Sequence, residues 1–117
     1  MTEEEDKFQR GIELFNEREF FLAHEVWEEI WMRESEPEKT FLQGLIQLAA
    51  ALHHYIRGNS EGAQSLLAAA AVKLQRFASS DRRIDVAELR TQAITWARML
   101  GQGNDPGQEN LPRIRPV

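Results

Sequence analysis

The stretch "FLQGLIQLAAALHHYI", residues 41–56, decides the fold because it is the most apolar run in the chain. It is shorter than the roughly 20 mostly apolar residues that a membrane-spanning helix needs, and Gln and His interrupt it. It also lacks the strict alternation of apolar and polar residues that marks a half-buried strand. The stretch therefore predicts a buried helix in a globular protein.

Helix signals extend outward from this run in both directions. In three places a Ser, Thr or Asp precedes a Glu by three residues, and such a pair can satisfy backbone N–H groups in the first turn of a helix. The three pairs are Thr2 with Glu5, Ser35 with Glu38, and Asp85 with Glu88. They predict helix beginnings, and no segment predicts a strand.

Stop signals complete the predicted architecture. The sequences "FNERE", "RGNSEG" and "SSDRRID" interrupt the helical pattern and join its segments by short connections. Five helices are predicted, at residues 3–16, 19–34, 36–57, 60–78 and 86–101. The predicted fold class is all-α, a compact bundle of about five antiparallel helices arranged as stacked helical hairpins.

The chain length of 117 residues suits one domain. We expect residues 1–101 to form a single helical domain and residues 102–117, "QGNDPGQENLPRIRPV", to form an irregular tail. Leu111, Ile114 and Val117 recur at spacing three, so they are expected to anchor the tail along a groove.

Composition excludes several classes of function. The chain has no cysteine, so a metal would have to bind through His, carboxylate, carbonyl or water. Its formal charge is −5, with twelve acids and four bases in residues 1–36 and only a weak basic stripe later, which argues against nucleic acid as a partner. The acidic N-terminal sequence lacks the features of a secretory signal, so we expect a cytoplasmic protein without membrane contact.

A histidine and a glutamate stand four residues apart in "FFLAHEVWEEIW", residues 20–31. On a helical wheel His24 and Glu28 share a face with four aromatic residues, whereas Glu25 and Glu29 lie on the other side. We therefore expect Glu28 to be more buried than either of these two acids. The aromatic residues are Phe20, Phe21, Trp27 and Trp31.

The third predicted helix offers partners for this pair. Its small and polar stripe would face the second helix if both form a hairpin turning near Glu36, which places Gly44 opposite Glu28 and His54 further out. The stripe consists of Thr40, Gln43, Gly44, Gln47, Ala50, Ala51 and His54. His53 falls on the apolar side and is predicted to be packed or partly exposed. The candidate metal ligands are His24 and Glu28, with His54 as a weak third, and the expected pocket-lining residues are Phe21, Trp27, Trp31, Gln43, Gly44 and Gln47.

Less specific roles compete with this interpretation. His24 and Glu28 could form a structural hydrogen-bond network, and Trp27 and Trp31 are expected in a core. The sequence "HEVWE" has Glu28 where the zinc-protease signature H-E-x-x-H has its second His, so the chain is not predicted to be a protease.

The segments "LFNEREFFLAHEVWEEIW", "FLQGLIQLAAALHHYIRGN" and "IDVAEL" resemble the bacterial and archaeal domain-of-unknown-function family numbered three hundred and nine. The resemblance covers roughly residues 8–100. Its hallmark is a His, three residues, a Glu, two residues and an aromatic, here His24, Glu28 and Trp31. The resemblance implies a small all-helical bundle whose motif has been suggested to bind metal, with no established activity.

These residues leave the function unassigned and the question of an enzyme open. The first interpretation is a small helical protein with a metal or small-ligand pocket at His24 and Glu28, with a divalent metal as the conceivable cofactor. One alternative is a metal-assisted hydrolase in which Glu28 is a ligand or general base. Another is a non-enzymatic protein-binding or assembly module, homo-oligomers included, and an exposed Trp27 or Phe21 would favour it.

Overall fold

Five helices build the protein in a computed structural model that describes residues 2–117, with Ser80 described by its backbone alone. They confirm the all-α prediction, and α2 and α4 end a few residues earlier than expected. The helices are α1 (Glu3–Asn16), α2 (Phe20–Trp31), α3 (Glu38–Ile56), α4 (Ser60–Leu74) and α5 (Val86–Gly101).

Two of the three predicted capping residues cap their helices. The side chains of Thr2 and Asp85 each accept a hydrogen bond, 3.0 Å long, from the backbone N–H three positions further on. The prediction for Ser35 is wrong, because α3 begins only at Glu38. There the carboxylate of Glu36 accepts from the backbone N–H of Thr40 at 2.8 Å.

Helices α2 and α3 run antiparallel, as predicted. The ring of Phe21, at the start of α2, lies 5.4 Å from that of His53 near the end of α3. At the other end, the Lys39 ammonium of α3 lies 4.4 Å above the Trp31 ring of α2. The early part of one helix therefore meets the late part of the other.

The core centres on α3, which packs between α2 and α4. Its Phe41, Leu45, Leu48 and Leu52 side chains are fully buried, as the apolar run predicted. Among the helices of residues 2–117, none is both long and apolar enough to cross a membrane.

Helix α1 approaches α2 closely at one glycine. A Cβ atom on Gly11 would lie 2.5 Å from Cε2 of Trp27 and closer still to its Nε1. The Trp27 indole N–H donates to the carbonyl of Phe8 at 3.2 Å, and the side chain is fully buried. The absence of a side chain on Gly11 is therefore what admits the indole between the two helices.

A short hairpin that the sequence did not predict precedes α5. Strands β1 (Ser80–Asp81) and β2 (Ile84–Asp85) pair antiparallel around a turn made by Arg82 and Arg83. Both arginines have positive φ, 48° and 65°. Two-residue strands are too short to show alternation, and Arg-Arg is not the Asn-Gly type of signal that such turns favour.

The tail packs against the bundle. Leu111 and Ile114 are 8% and 2% exposed, as expected, whereas the Val117 side chain is 74% exposed and the residue is held by its backbone N–H, which donates to the Arg83 carbonyl at 3.1 Å. The Asn16 side-chain amide donates to the Ile114 carbonyl and accepts from the Ile114 N–H, each at 2.8 Å. The tail is mostly irregular, with a 3₁₀ turn at Gln108–Asn110.

Candidate functional site

His24 and Glu28 meet at the surface of α2. His24 Nε2 lies 3.4 Å from Glu28 Oε2, and their side chains are 24% and 48% exposed. The prediction that Glu28 is markedly more buried than Glu25 and Glu29 is wrong, because all three are exposed and Glu29 is 57% exposed. The pair has the predicted spacing but sits at the edge of the buried face.

The buried face of α2 is rotated away from the expected position. Its centre is marked by Phe20, Ala23, Trp27 and Ile30, each at most 4% exposed. At 100° per residue, this centre lies about 80° from His24. The prediction centred the buried face on His24 and four aromatic residues, whereas only two of those four, Phe20 and Trp27, are buried.

The two ring nitrogens of His24 differ in their surroundings. Nε2 faces the Glu28 carboxylate, whereas Nδ1 is buried and has no hydrogen-bond partner among the described residues. The imidazole is thus oriented by Glu28 on one side only.

The ring of Phe21 lies beside the His24–Glu28 pair. Phe21 stacks on His24 with ring centroids 5.8 Å apart, and it also contacts the ring of His53. Phe21 is 50% exposed. We call Phe21, His24, Glu28 and His53 the α2 surface cluster.

The imidazole of His53 is partly desolvated in this cluster. Burial is the main cause that lowers the pKa of His53 from its ordinary value, and the charges of Arg57, His54 and His24 act in the same direction. The ring therefore favours its neutral form, in which it can stack on other planar groups.

The small and polar stripe of α3 does not face this cluster, so the predicted pairing is wrong. Gln47 accepts a hydrogen bond from Lys73 of α4 at 3.0 Å, and a Cβ on Gly44 would lie 3.3 Å from Leu74 of α4. Gln43 is partly buried. The stripe turns toward α4 because its small residues allow that helix to approach closely.

The histidine that α3 brings to α2 is His53, not His54. His54 Nδ1 lies 3.1 Å from the side-chain nitrogen of Asn59, beyond the end of α3. Sequence reasoning missed this, although His53 stands fourteen positions after Lys39, which contacts α2. Fourteen residues are close to four helical turns, so the two side chains share a face.

The two tryptophans of α2 have separate roles. Trp27 is enclosed between α1 and α2 and lines no open surface. Trp31 is partly buried and lies beneath the Lys39 ammonium. Neither indole is stacked against His24, which has Phe21 as its aromatic neighbour.

The residues do not fit a metal site with three protein ligands. Within residues 2–117 no group of three or more His, Asp or Glu side chains lies close enough to hold one ion. Zinc sites in proteins usually have at least three such ligands. His24 and Glu28 alone could contribute at most two.

The fold and the motif together define a class of protein, a small all-helical bundle that carries His24, Glu28 and Trp31 on its second helix. A family model, "Domain of unknown function (DUF309)", matches residues 8–66, which run from α1 into α4. The chain belongs to this family.

Two relatives carry no assigned function. "Uncharacterized protein YpuF" of Bacillus subtilis is 42% identical over 59 residues, which are 49% of this chain and 33% of that protein. An "Uncharacterized protein" of Aquifex aeolicus is 29% identical over 93 residues, 79% of this chain and 28% of that protein. The matched region thus spans a third or less of each relative, inside a longer chain.

Proposed function

We propose that this protein is a non-enzymatic binding module whose α2 surface cluster receives an arginine-bearing peptide segment of a partner protein. The observation that carries the proposal is the half-exposed ring of Phe21, in contact with both His24 and His53. Contiguous exposed apolar patches, and not single apolar side chains, mark interaction sites, and here the Phe21 ring is continuous with two imidazole rings.

The chemistry of the cluster suits a guanidinium group. Arginine stacks on aromatic faces and pairs with carboxylates in a planar, bidentate manner. Phe21 and His53 supply ring faces, and Glu28 supplies a carboxylate that is 48% exposed. Glu25 adds negative charge on the same helix, whereas Glu29 is already paired with Lys7 at 3.1 Å.

Two further facts support a module over an enzyme. The cluster lies at the surface, with the side chains of Phe21 and Glu28 each about half exposed, which suits a partner segment that approaches from solvent. In both relatives the matched region is part of a longer chain, as is common for modules that work beside other segments.

The test uses two short amphipathic peptides that differ only in carrying arginine or lysine. Titrated into isotope-labelled protein, the arginine peptide should shift the resonances of Phe21, His24 and His53 and bind more tightly than the lysine peptide. Phe21→Ala should weaken binding about two- to fivefold, as expected for an exposed cation–π contact. Ile94, which is 47% exposed on α5, provides the control, because Ile94→Ala should change nothing.

Equal affinity for both peptides, or equal losses in the Phe21→Ala and Ile94→Ala variants, would contradict the proposal. The first result would mean that binding responds to charge alone. The second would mean that any exposed apolar side chain serves equally well.

A second candidate is a divalent cation shared by Nε2 of His24 and Oε2 of Glu28. The 3.4 Å between these atoms favours it, since two ligands of one ion lie about this far apart. Water or a partner would have to supply the remaining ligands. Zinc titration by calorimetry tests it: binding to the wild type that Glu28→Gln abolishes would support this candidate, and absence of binding would remove it.

A further inference from the structure

A cavity lies at the other end of α2, away from the α2 surface cluster. It has a volume of about 380 Å³ and opens where α1, the end of α2, the start of α3 and the Arg82–Arg83 turn meet. This size falls within the usual range of small-molecule pockets. No residue of the α2 surface cluster lines it.

The floor of this cavity is apolar. Ile30 and Leu42 are core residues, 4% and 3% exposed, and Phe8 packs beside them. An apolar group entering the cavity would therefore displace water from hydrocarbon surface, which favours binding.

The rim of the cavity is mostly acidic. Four carboxylates line it against two guanidinium groups, and Arg82 is paired with one of them: it lies 3.6 Å from Glu38, as well as 3.0 Å from Asp81, which leaves three lining carboxylates against Arg83. Arg82 also lies over the Phe41 ring at 4.3 Å. The lining carboxylates are those of Glu4, Glu5, Glu34 and Glu38.

The basic side chains of Lys7 and Arg83 do not reverse this excess of negative charge. Lys7 is held 3.1 Å from both Glu3 and Glu29, and neither of these acids lines the cavity. Arg83 lines the rim, where its positive charge would repel a bound cation. The cavity therefore combines negative charge at its mouth with hydrocarbon at its base.

The geometry points to a binding site for a small organic cation with an apolar body, such as an alkylammonium ion. Its ammonium group would lie among Glu4, Glu5 and Glu34, and its chain would lie on Phe8, Ile30 and Leu42. The site is separate from the α2 surface cluster and does not depend on the function proposed for it.

The first experiment titrates n-butyl-, n-hexyl- and n-octylammonium into the wild-type protein, with methyl resonances of Ile30 and Leu42 as the readout. Affinity should rise about threefold to fourfold per methylene while the chain still fits the cavity. Hexanoate and hexanol are the controls, and each should bind more weakly than hexylammonium. Equal binding of hexanol would overturn the proposal, because the cavity would then be only an apolar void.

The second experiment removes charges of opposite sign from the same rim. Glu34→Gln should weaken hexylammonium binding about 1.5- to fivefold, the range of an exposed ion pair, and Arg83→Gln should strengthen it by a similar factor. A general loss of structure would change both variants in the same direction. Losses in both, or no change in either, would overturn the proposal, provided that circular dichroism shows the helices intact.

Discussion

Phe20 and Phe21 are neighbours in the sequence and of the same type, yet they are 2% and 50% exposed. Phe20 packs edge-on against Phe15 of α1 with ring centroids 5.0 Å apart. Phe21 instead lies at the surface beside His24 and His53. The α1-facing side of α2 therefore holds the fold together, whereas the cluster side leaves its aromatic ring available.

The difference shows that aromatic content does not decide which side of a helix is buried. The buried side of α2 is the one that carries Ala23 and that meets Gly11 across the interface. Small residues allow two backbones to approach, and the large Trp27 ring then fills the space that remains.

The largest expected effect separates the two phenylalanines directly. Phe20→Ala should lower the free energy of unfolding by about 3–5 kcal/mol, because it leaves a cavity in a packed core. Phe21→Ala should change it by no more than about 1 kcal/mol, since half of the ring is already solvated and Ala favours the helix. Urea unfolding followed by circular dichroism measures both variants. Equal losses of stability would contradict the assignment of different roles to the buried side and the cluster side of α2.

A smaller loss of stability should follow from adding a side chain where α1 and α2 approach closely. Gly11→Ala favours the helix intrinsically, but its Cβ would overlap the Trp27 indole, so we expect a net loss of about 1–3 kcal/mol. Gly44→Ala is the matched control, because its Cβ would meet Leu74 at 3.3 Å, a contact that a small shift can relieve. A gain in stability for Gly11→Ala would show that the indole moves freely.

On the cluster side, Glu28→Gln should change the free energy of unfolding by no more than about 0.5 kcal/mol, the usual limit for exposed substitutions. The Glu28 carboxylate is 48% exposed and contacts one imidazole nitrogen, so an amide can replace it. A loss of 1 kcal/mol or more in thermal or urea unfolding would instead indicate a structural network around His24.

The smallest expected effect is a pH dependence from His53. Because its pKa is lowered in the folded protein, the unfolded chain binds more protons, so this contribution is present above about pH 6.5 and is lost as the pH falls through the lowered value. His53→Gln should flatten this part of the stability curve. Urea midpoints measured across that interval would contradict the assignment if the slope persisted.

Helix positions could be predicted because local signals specify them. The caps at Thr2 and Asp85 depend on residues three positions apart, and four of the five predicted helices begin within a residue of the observed start. The Arg82–Arg83 turn could not be predicted, because positive φ at two arginines reflects tertiary contacts and no local preference.

The geometry of the candidate pair was predicted in part for the same reason. The contact between His24 and Glu28 follows from their spacing within one helix, so the sequence was sufficient. Their exposure depends on how α2 is rotated against α1 and α3, and the choice of His53 over His54 depends on the rotation of α3. These are properties of interfaces between helices, which the wheel of a single helix does not contain.

The paired hydrogen bonds of Asn16 with Ile114 join residues 98 positions apart, whereas most other helix contacts are between successive helices. Closing a long loop costs more conformational entropy than closing a short one, so helical hairpins can assemble before the tail docks. Interactions made after the folding transition state mainly slow unfolding. We therefore expect the hydrogen bonds of Asn16 to slow unfolding and to have little effect on the folding rate.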